Sequence, residues 1–437
     1  MPYISTNHNS PAVSLTEAIL RSIAPDKGLY MPAAIPRLPE AFIRNSIDMT
    51  LPEIAYAVTG SLLGAEVDAS MVKEVVDEAL NFDIPLVEVS DSATAIELFH
   101  GPTMAVKDIS SRFIAQLCMR LSRKHGQNLK LNVLMATNGN SGGAIADAIS
   151  ALPDVNVYIL FPKNERKYIG DNLRSCSPNV KAIEIQGSIE QCKEIVRQAM
   201  TDPTLRESMH LVTANSVNIV RLIPHVAVYF YVVSRLMKSG SYNPADCPLA
   251  IPTGNLTSLT AAVMARRMGL PLGPLVAACN SNRHFCDYLQ YGDEMLPSAS
   301  VETAARAMDM GMPSNLPRLK YLYDNNLSDI RADIKAATVS DSEIKSTIAD
   351  VYSRHGYLLD PHSAVAYAAL EKAYPEAGQK LFLATAHPAK SRQIVEEAIG
   401  DSIKVPERLA YSSNLRRHSV KLPPTYPAFR KFLTSNI

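Results

Sequence analysis

The patterning of this 437-residue chain predicts an α/β fold, with parallel or mixed sheets and a helical module ahead of them. Three observations carry that prediction. Short apolar, strand-like runs recur at 131–136, 155–161, 182–185, 249–252, 275–279 and 381–384. Amphipathic stretches of helical spacing separate them, as at 188–200, 219–237 and 391–399, which is the signature of βαβ units and a mostly parallel sheet covered on both faces. Two Gly-rich turns each follow a strand-like run and open a helix.

Taken in order, residues 14–24 have helical spacing with Ser14 as the capping residue, and they stop at the turn Asp26-Lys27-Gly28. Further helical spacing over 50–80 leads into an extended, proline-marked segment from Asp83. A boundary near residue 90 therefore closes an all-helical N-terminal module, 1–90. Residues 91–400 carry the alternating strand and helix pattern, in more than one sheet at this length. Residues 401–437, proline-rich and basic, form a packed C-terminal extension.

Composition narrows the function. The 43 basic and 43 acidic residues cancel, so neither nucleic acid nor an anionic membrane is indicated as a partner. Six cysteines, at 118, 176, 192, 247, 279 and 286, show no CxxC pair or zinc spacing, so no metal is expected and the thiols read as reduced. The N-terminus lacks a charged segment followed by an apolar one, and no run of about 18 apolar residues is expected to span a bilayer. A cytoplasmic enzyme is the expectation, with monomer or homodimer left open.

The stretch from His100 to Phe113 places Lys107 in an apolar run directly before a helix start. A lysine in apolar surroundings loses hydration of its ammonium form, its pKa falls, and a nucleophilic amine becomes available for condensation with a carbonyl. The turns at 136–144 and 252–260 are suited to anions, because glycine lets backbone N–H groups approach and a helix N-terminus favours negative charge. Neither turn matches a dinucleotide or Walker A pattern. Each feature alone is also compatible with ordinary structure, a lysine lying on apolar surface or a loop punctuating a strand.

Together these segments resemble threonine synthase, a pyridoxal-phosphate (PLP) enzyme family of fold type II. The lysine segment resembles H-G-P-T-x-A-F-K-D-F, with Val106 and Ile109 in place of two phenylalanines. Residues 136–142 resemble A-T-S-G-D-T-G, residues 252–259 resemble P-S-G-N-F-G-D-L, and residues 215–221 resemble N-S-I-N-x-x-R. Residues 308–318, 360–367 and 383–390 resemble M-D-x-x-x-P-N/S-N-x-x-R, E/D-P-H-x-A-V-A-Y and L-x-T-A-H-P-A-K. The likeness runs in order through the chain, with Lys27 in place of a usual glycine near its start.

The resemblance implies PLP as cofactor, a catalytic region over 91–400 made of two α/β subdomains with the smaller, roughly 115–215, inserted in the larger, and Lys107 as the Schiff-base residue and proton carrier. It implies that Thr385 bonds the pyridine nitrogen, that Gly254, Asn255, Leu256 and Thr257 cradle the cofactor phosphate, and that Asn140 lies beside the cofactor's 3′-oxygen. Thr137, Ser141 and Gly142 would grip the substrate carboxylate, and Asn215, Ser216 and Arg221 the substrate phosphate. His100, His362 and His387 would be structural. The implied reaction is γ-elimination of phosphate from O-phospho-L-homoserine and β-addition of water, giving L-threonine. Thr257, Asn138 and Gly311 depart from the family pattern. They keep open a phospholyase or a β/γ-replacement enzyme for another phosphorylated amino acid, and a non-catalytic binding protein on the same fold.

Overall fold

The computed structural model describes residues 1–124, 131–137, 140–152, 154–163, 177–240, 242–294, 299–413 and 419–435. Thirteen strands among them form three sheets. Strands β1 (Tyr3–Ser5) and β2 (Tyr30–Pro32) make a two-stranded antiparallel ribbon. The six-stranded sheet has β3 (Leu86–Ser90), β4 (Ala93–Glu97), β9 (Leu249–Pro252), β10 (Leu275–Cys279), β11 (Ile334–Thr338) and β12 (Lys380–Ala384), in the order β11-β10-β9-β12-β4-β3. The five-stranded sheet has β5 (Leu131–Ala136), β6 (Val155–Pro162), β7 (Val180–Ile185), β8 (Leu211–Thr213) and β13 (Ser419–Leu422), in the order β13-β7-β6-β5-β8. All pairings in the larger two sheets are parallel except β3 with β4.

The near-continuous apolar runs of β5, β9, β10 and β12 reflect burial on both faces. Ile96, Leu249, Leu275 and Leu381 pack into the large core shared with the N-terminal helices, while Ala95, Ala250, Val276 and Phe382 point into a second core on the opposite face. A third core lies under the five-stranded sheet, where Leu134, Leu160 and Ile183 meet Phe429 and Leu433 from the C-terminal helix.

One expectation is corrected. The N-terminal module is not purely helical: it carries the β1–β2 ribbon, whose three-residue strands are too short to show a two-residue period. The C-terminal segment packs on the five-stranded sheet, where β13 adds the edge strand beside β7 and Arg430 Nε reaches Asp202 at 3.1 Å. Helix starts are set locally as the sequence suggests: Ser14 Oγ accepts from Glu17 N, and Ser188 forms a reciprocal capping box with Gln191. The segment Ile219–Lys238 is apolar and long enough to cross a membrane by composition, but it is mostly buried as a core helix.

Candidate active site

Because β4, β9 and β12 are parallel neighbours, the chain leaves all three at the same edge of the sheet, the position where α/β sheets bind ligands. The segment leaving β4 is zipped onto the segment leaving β12. Leu98 N donates to Ala384 O (2.8 Å), Val106 N to Thr385 O (2.8 Å) and His387 N to Met104 O (3.1 Å). Asp108 secures the loop from the other side, accepting from Thr103 N (2.9 Å) and Thr103 Oγ1 (2.6 Å). Burial pushes the Asp108 carboxyl up to about 6. The loop passes so close that a β-carbon on Gly101 would lie 2.7 Å from Asp108 Cβ. This bracing sets Lys107 as the first residue of helix Lys107–Lys124, facing a cavity.

That cavity, about 300 Å³, is walled by the exits of β4, β5, β8, β9 and β12. Lys107, Lys193, Arg197 and Arg221 line it, and among the described residues no Asp or Glu does. Arg197 is paired with Glu194. Lys107, Lys193 and Arg221 form no ion pair with any described residue. Burial, and then the Arg221 guanidinium, hold the Lys107 amine down at about 8. Arg221 is 4% exposed, burial lowers it to about 10, and its Nη1 donates to Ser111 Oγ at 2.8 Å. Unneutralised buried cations are costly, so this cavity is organised for an anion.

The turn after β9 is built to present backbone donors. Leu256 sits in the left-handed region (φ 59°) and precedes helix Thr257–Arg267, whose start has no side-chain cap. The orphan N–H groups at such a start attract phosphate. Gly254 is required by close backbone approach, since a β-carbon there would lie 2.8 Å from Met308 Cα. Asn255 braces the turn: its amide donates to Ser216 Oγ, and its Oδ1 accepts from Ser314 N at 2.7 Å. Thr257, which departs from the family pattern, carries no left-handed strain, because the left-handed residue is Leu256. Thr257 begins the helix, and its Oγ1 accepts from Asn315 Nδ2 at 3.1 Å.

The structure gathers Lys107, Thr137, Ser141, Asn215, Ser216, Arg221, Gly254, Asn255, Leu256, Thr257 and Thr385 around this one cavity. Gly142 is buried behind the wall and does not line it. Asn140 begins helix Asn140–Ser150, and Asn138 lies outside the described residues. Asn215 lines the cavity and also braces it: its amide donates to Ala136 O (2.8 Å) and accepts from Ala136 N (3.0 Å), holding the exits of β5 and β8 together. Gly311 lies in a bend that is not part of the wall.

Among the histidines, His100 bonds Glu97 at 2.7 Å and stacks on Phe99, away from the cavity. The His387 ring accepts from Ala389 N at 3.1 Å. His362 does line the cavity, but its Nδ1 bonds Asp360 and its Nε2 accepts from Ala307 N at 3.2 Å, so the ring holds the 305–308 segment.

Sequence reasoning gave no role to four positions that shape this site. Arg318 is fully buried and donates to Tyr30 O (3.1 Å), Ser216 O (2.8 Å), Asn315 Oδ1 (2.7 Å) and Val217 O (2.6 Å). It thereby ties the N-terminal ribbon to the 215–221 turn directly and to the 254–257 turn through Asn315, and its place at the end of the 308–318 motif was the available signal. His225 and Lys193 line the cavity with nothing in their local sequence to mark them. Asn218, inside the 215–221 motif, anchors that turn to the first helix through Ile19 O and Ser22 Oγ, both at 3.1 Å.

Comparison with known proteins agrees with this geometry. Family models match for the threonine synthase N terminus over residues 2–80, for pyridoxal-phosphate dependent enzymes over 96–385, and for the threonine synthase C-terminal region over 363–433. A threonine synthase of Haemophilus influenzae is 33% identical over 434 residues, covering 99% of each chain. The chain belongs to the threonine synthase family. The crystal structure of threonine synthase from Escherichia coli superposes with a TM-score of 0.92 at 29% identity, covering all of both chains. The PLP-bound threonine synthase of Brucella melitensis gives 0.89 at 28% identity, covering 100% of this chain and 99% of that one. The fold is thus that of PLP fold type II, and the chain is a PLP-dependent lyase of amino-acid biosynthesis by family.

The residues present fit that cofactor on their own evidence. An amine held at about 8 faces the cavity, and an uncapped helix start with a left-handed leucine stands ready for a phosphate. Thr385 offers a neutral hydroxyl on the same wall.

Proposed function

We propose that this protein converts O-phospho-L-homoserine and water into L-threonine and phosphate, with PLP as cofactor. The observation that supports this most is the charge of the cavity: three cations without an ion pair and the uncapped helix start after Leu256, with no carboxylate on the described wall. A substrate carrying a carboxylate and a phosphate, together with a phosphorylated cofactor, complements that set.

When bound, PLP supplies an electron sink for negative charge developing on the substrate's carbon atoms. Lys107 would hold the cofactor through its Schiff base and, once released, take the proton from Cα. An amine near 8 is close to neutral working conditions and can both accept and return a proton. The uncapped N–H groups of 254–257 would take the cofactor phosphate. Thr385 would meet the pyridine nitrogen with a neutral hydroxyl, and Asn140 would lie near the cofactor's 3′-oxygen. Thr137, Ser141 and the start of helix Asn140–Ser150 would orient the substrate carboxylate, with Gly142 backing them from behind the wall.

Arg221 would bind the leaving phosphate with a planar fork. Ser216 stands beside the same region, held by Asn255. Asn215 contributes by positioning, through Ala136. Cytoplasmic residence belongs to the same reading.

The test is to supply the cofactor-loaded protein with O-phospho-L-homoserine and measure both products. Equal amounts of phosphate and threonine are expected. Phosphate with 2-oxobutyrate in place of threonine would mean a phospholyase, and neither product would remove the substrate assignment.

A further inference from the structure

We propose that His225 contacts the substrate, its neutral imidazole donating a hydrogen bond to the phosphate group that Arg221 binds. The inference deepens the function proposed above and rests on its phosphorylated substrate. His225 stands in the first turn of helix Ile223–Lys238, four residues beyond Arg221, so the two side chains emerge on the same side of the chain. It is 6% exposed, and the cavity wall includes it. Its ring has no hydrogen-bond partner among the described residues. The ring nitrogens are not sealed in by protein, so what fills the cavity is in a position to supply the missing partner.

The ring's surroundings decide its protonation. Lys107 from its own helix, Arg221 from the preceding turn, and Lys193 and Arg197 across the cavity are the charged side chains on this wall; Glu190 acts on Lys193 and Glu194 pairs with Arg197, and no described carboxylate lines the wall beside His225. Burial first, then Lys107, then Arg221, push His225 down to about 3. A ring that stays neutral has one N–H to give and one lone pair. It therefore adds a donor to the anion site without competing for the proton that Lys107 carries. This separates the two roles: Lys107 moves protons, and His225 binds.

The experiment uses the cofactor-loaded protein, so that the 254–257 turn is already filled, and inorganic phosphate and sulfate as probes. Binding is measured by calorimetry, and the His225 ring by nitrogen-15 NMR. Sulfate keeps a constant charge across neutral pH, so any inflection in its affinity belongs to the protein. His225→Ala is expected to weaken both anions about tenfold, the loss of one hydrogen bond to a charged group. His225→Gln, which keeps a donor, is expected to recover most of that loss. KM for the phosphorylated substrate should rise by a similar factor in His225→Ala while kcat changes less. In the wild type, the His225 signals should stay those of a neutral ring from pH 6 to 8 and shift at the N–H nitrogen when sulfate is added.

Unchanged anion affinity in His225→Ala overturns the proposal, including the case where only thermal stability falls. So does a His225 ring that titrates near the ordinary value of about 6.5. The NMR arm needs no variant and holds if a substitution fails to fold. A protein that binds sulfate through His225 but makes no threonine would refute the function proposed above and leave this inference standing.

Discussion

Replacing Arg318 with methionine tests the idea that one buried guanidinium aligns the anion-facing turns. The side chain is fully buried and is held by four oxygens rather than by a carboxylate. Methionine fills most of the volume but leaves the carbonyls of Tyr30, Ser216 and Val217 without that donor. At about 1–1.5 kcal/mol for each buried acceptor, the loss comes to about 4 kcal/mol. With about 2.1 cal/mol/K of unfolding entropy per residue over 437 residues, that lowers Tm by about 4 °C.

The functional effect should exceed the thermal one. Ser216 and Asn315 are the groups that brace Asn255 and Thr257, so their release should raise KM for the phosphorylated substrate about tenfold or more. Arg318→Lys keeps the charge, but its single ammonium cannot span the four acceptors and should recover less than half of either loss. Differential scanning calorimetry and steady-state kinetics read both quantities. A methionine variant that melts with the wild type and keeps its KM would refute the argument.

Three further outcomes follow from particular contacts. Gly254→Ala forces a β-carbon to 2.8 Å from Met308 Cα, so the turn must shift, and cofactor affinity measured by dialysis should fall about tenfold or more. Cys286, lowered to about 7 chiefly by its hydrogen bond with Cys279, should be alkylated by iodoacetamide with a half-maximal rate near pH 7. The buried thiols of Cys118, Cys192 and Cys247, pushed up to about 12, should lag far behind in peptide mapping. In the cofactor-free protein, Lys107 contributes a pH-dependent stability with a definite sign. Below about pH 8 the amine is charged in both states and its burial penalty is complete. Between about 8 and the ordinary 10.5, the folded chain has lost the proton and the unfolded chain has not, so stability rises with pH. Denaturant titrations should show that rise in the wild type and not in Lys107→Met.

Much of the architecture was legible in the sequence because burial on both faces writes long apolar runs, and the six strand-like runs correspond to β5, β6, β7, β9, β10 and β12. Four of the strands outside those runs have a physical reason for being missed. β1, β2 and β8 are three residues long, and β13 lies far in sequence from its partner β7, a pairing that no local pattern encodes. At the cavity, the residues on motif loops were visible because glycine, a capping residue or a stranded lysine leaves a local trace. His225 and Lys193 were not, since each lies within an ordinary helical pattern and reaches the cavity only through tertiary packing. The bracing bonds from Asn215 to Ala136 were not legible, because sequence shows an amide and not the backbone it will bond.

Borohydride trapping of the cofactor-loaded protein, followed by peptide mapping, tests the central claim most directly. The account predicts a visible absorbance that reduction abolishes and a single pyridoxyl adduct on Lys107. Forming that adduct from cofactor-free protein should be half-maximal near pH 8. An adduct distributed over surface lysines, or none on Lys107, would contradict it.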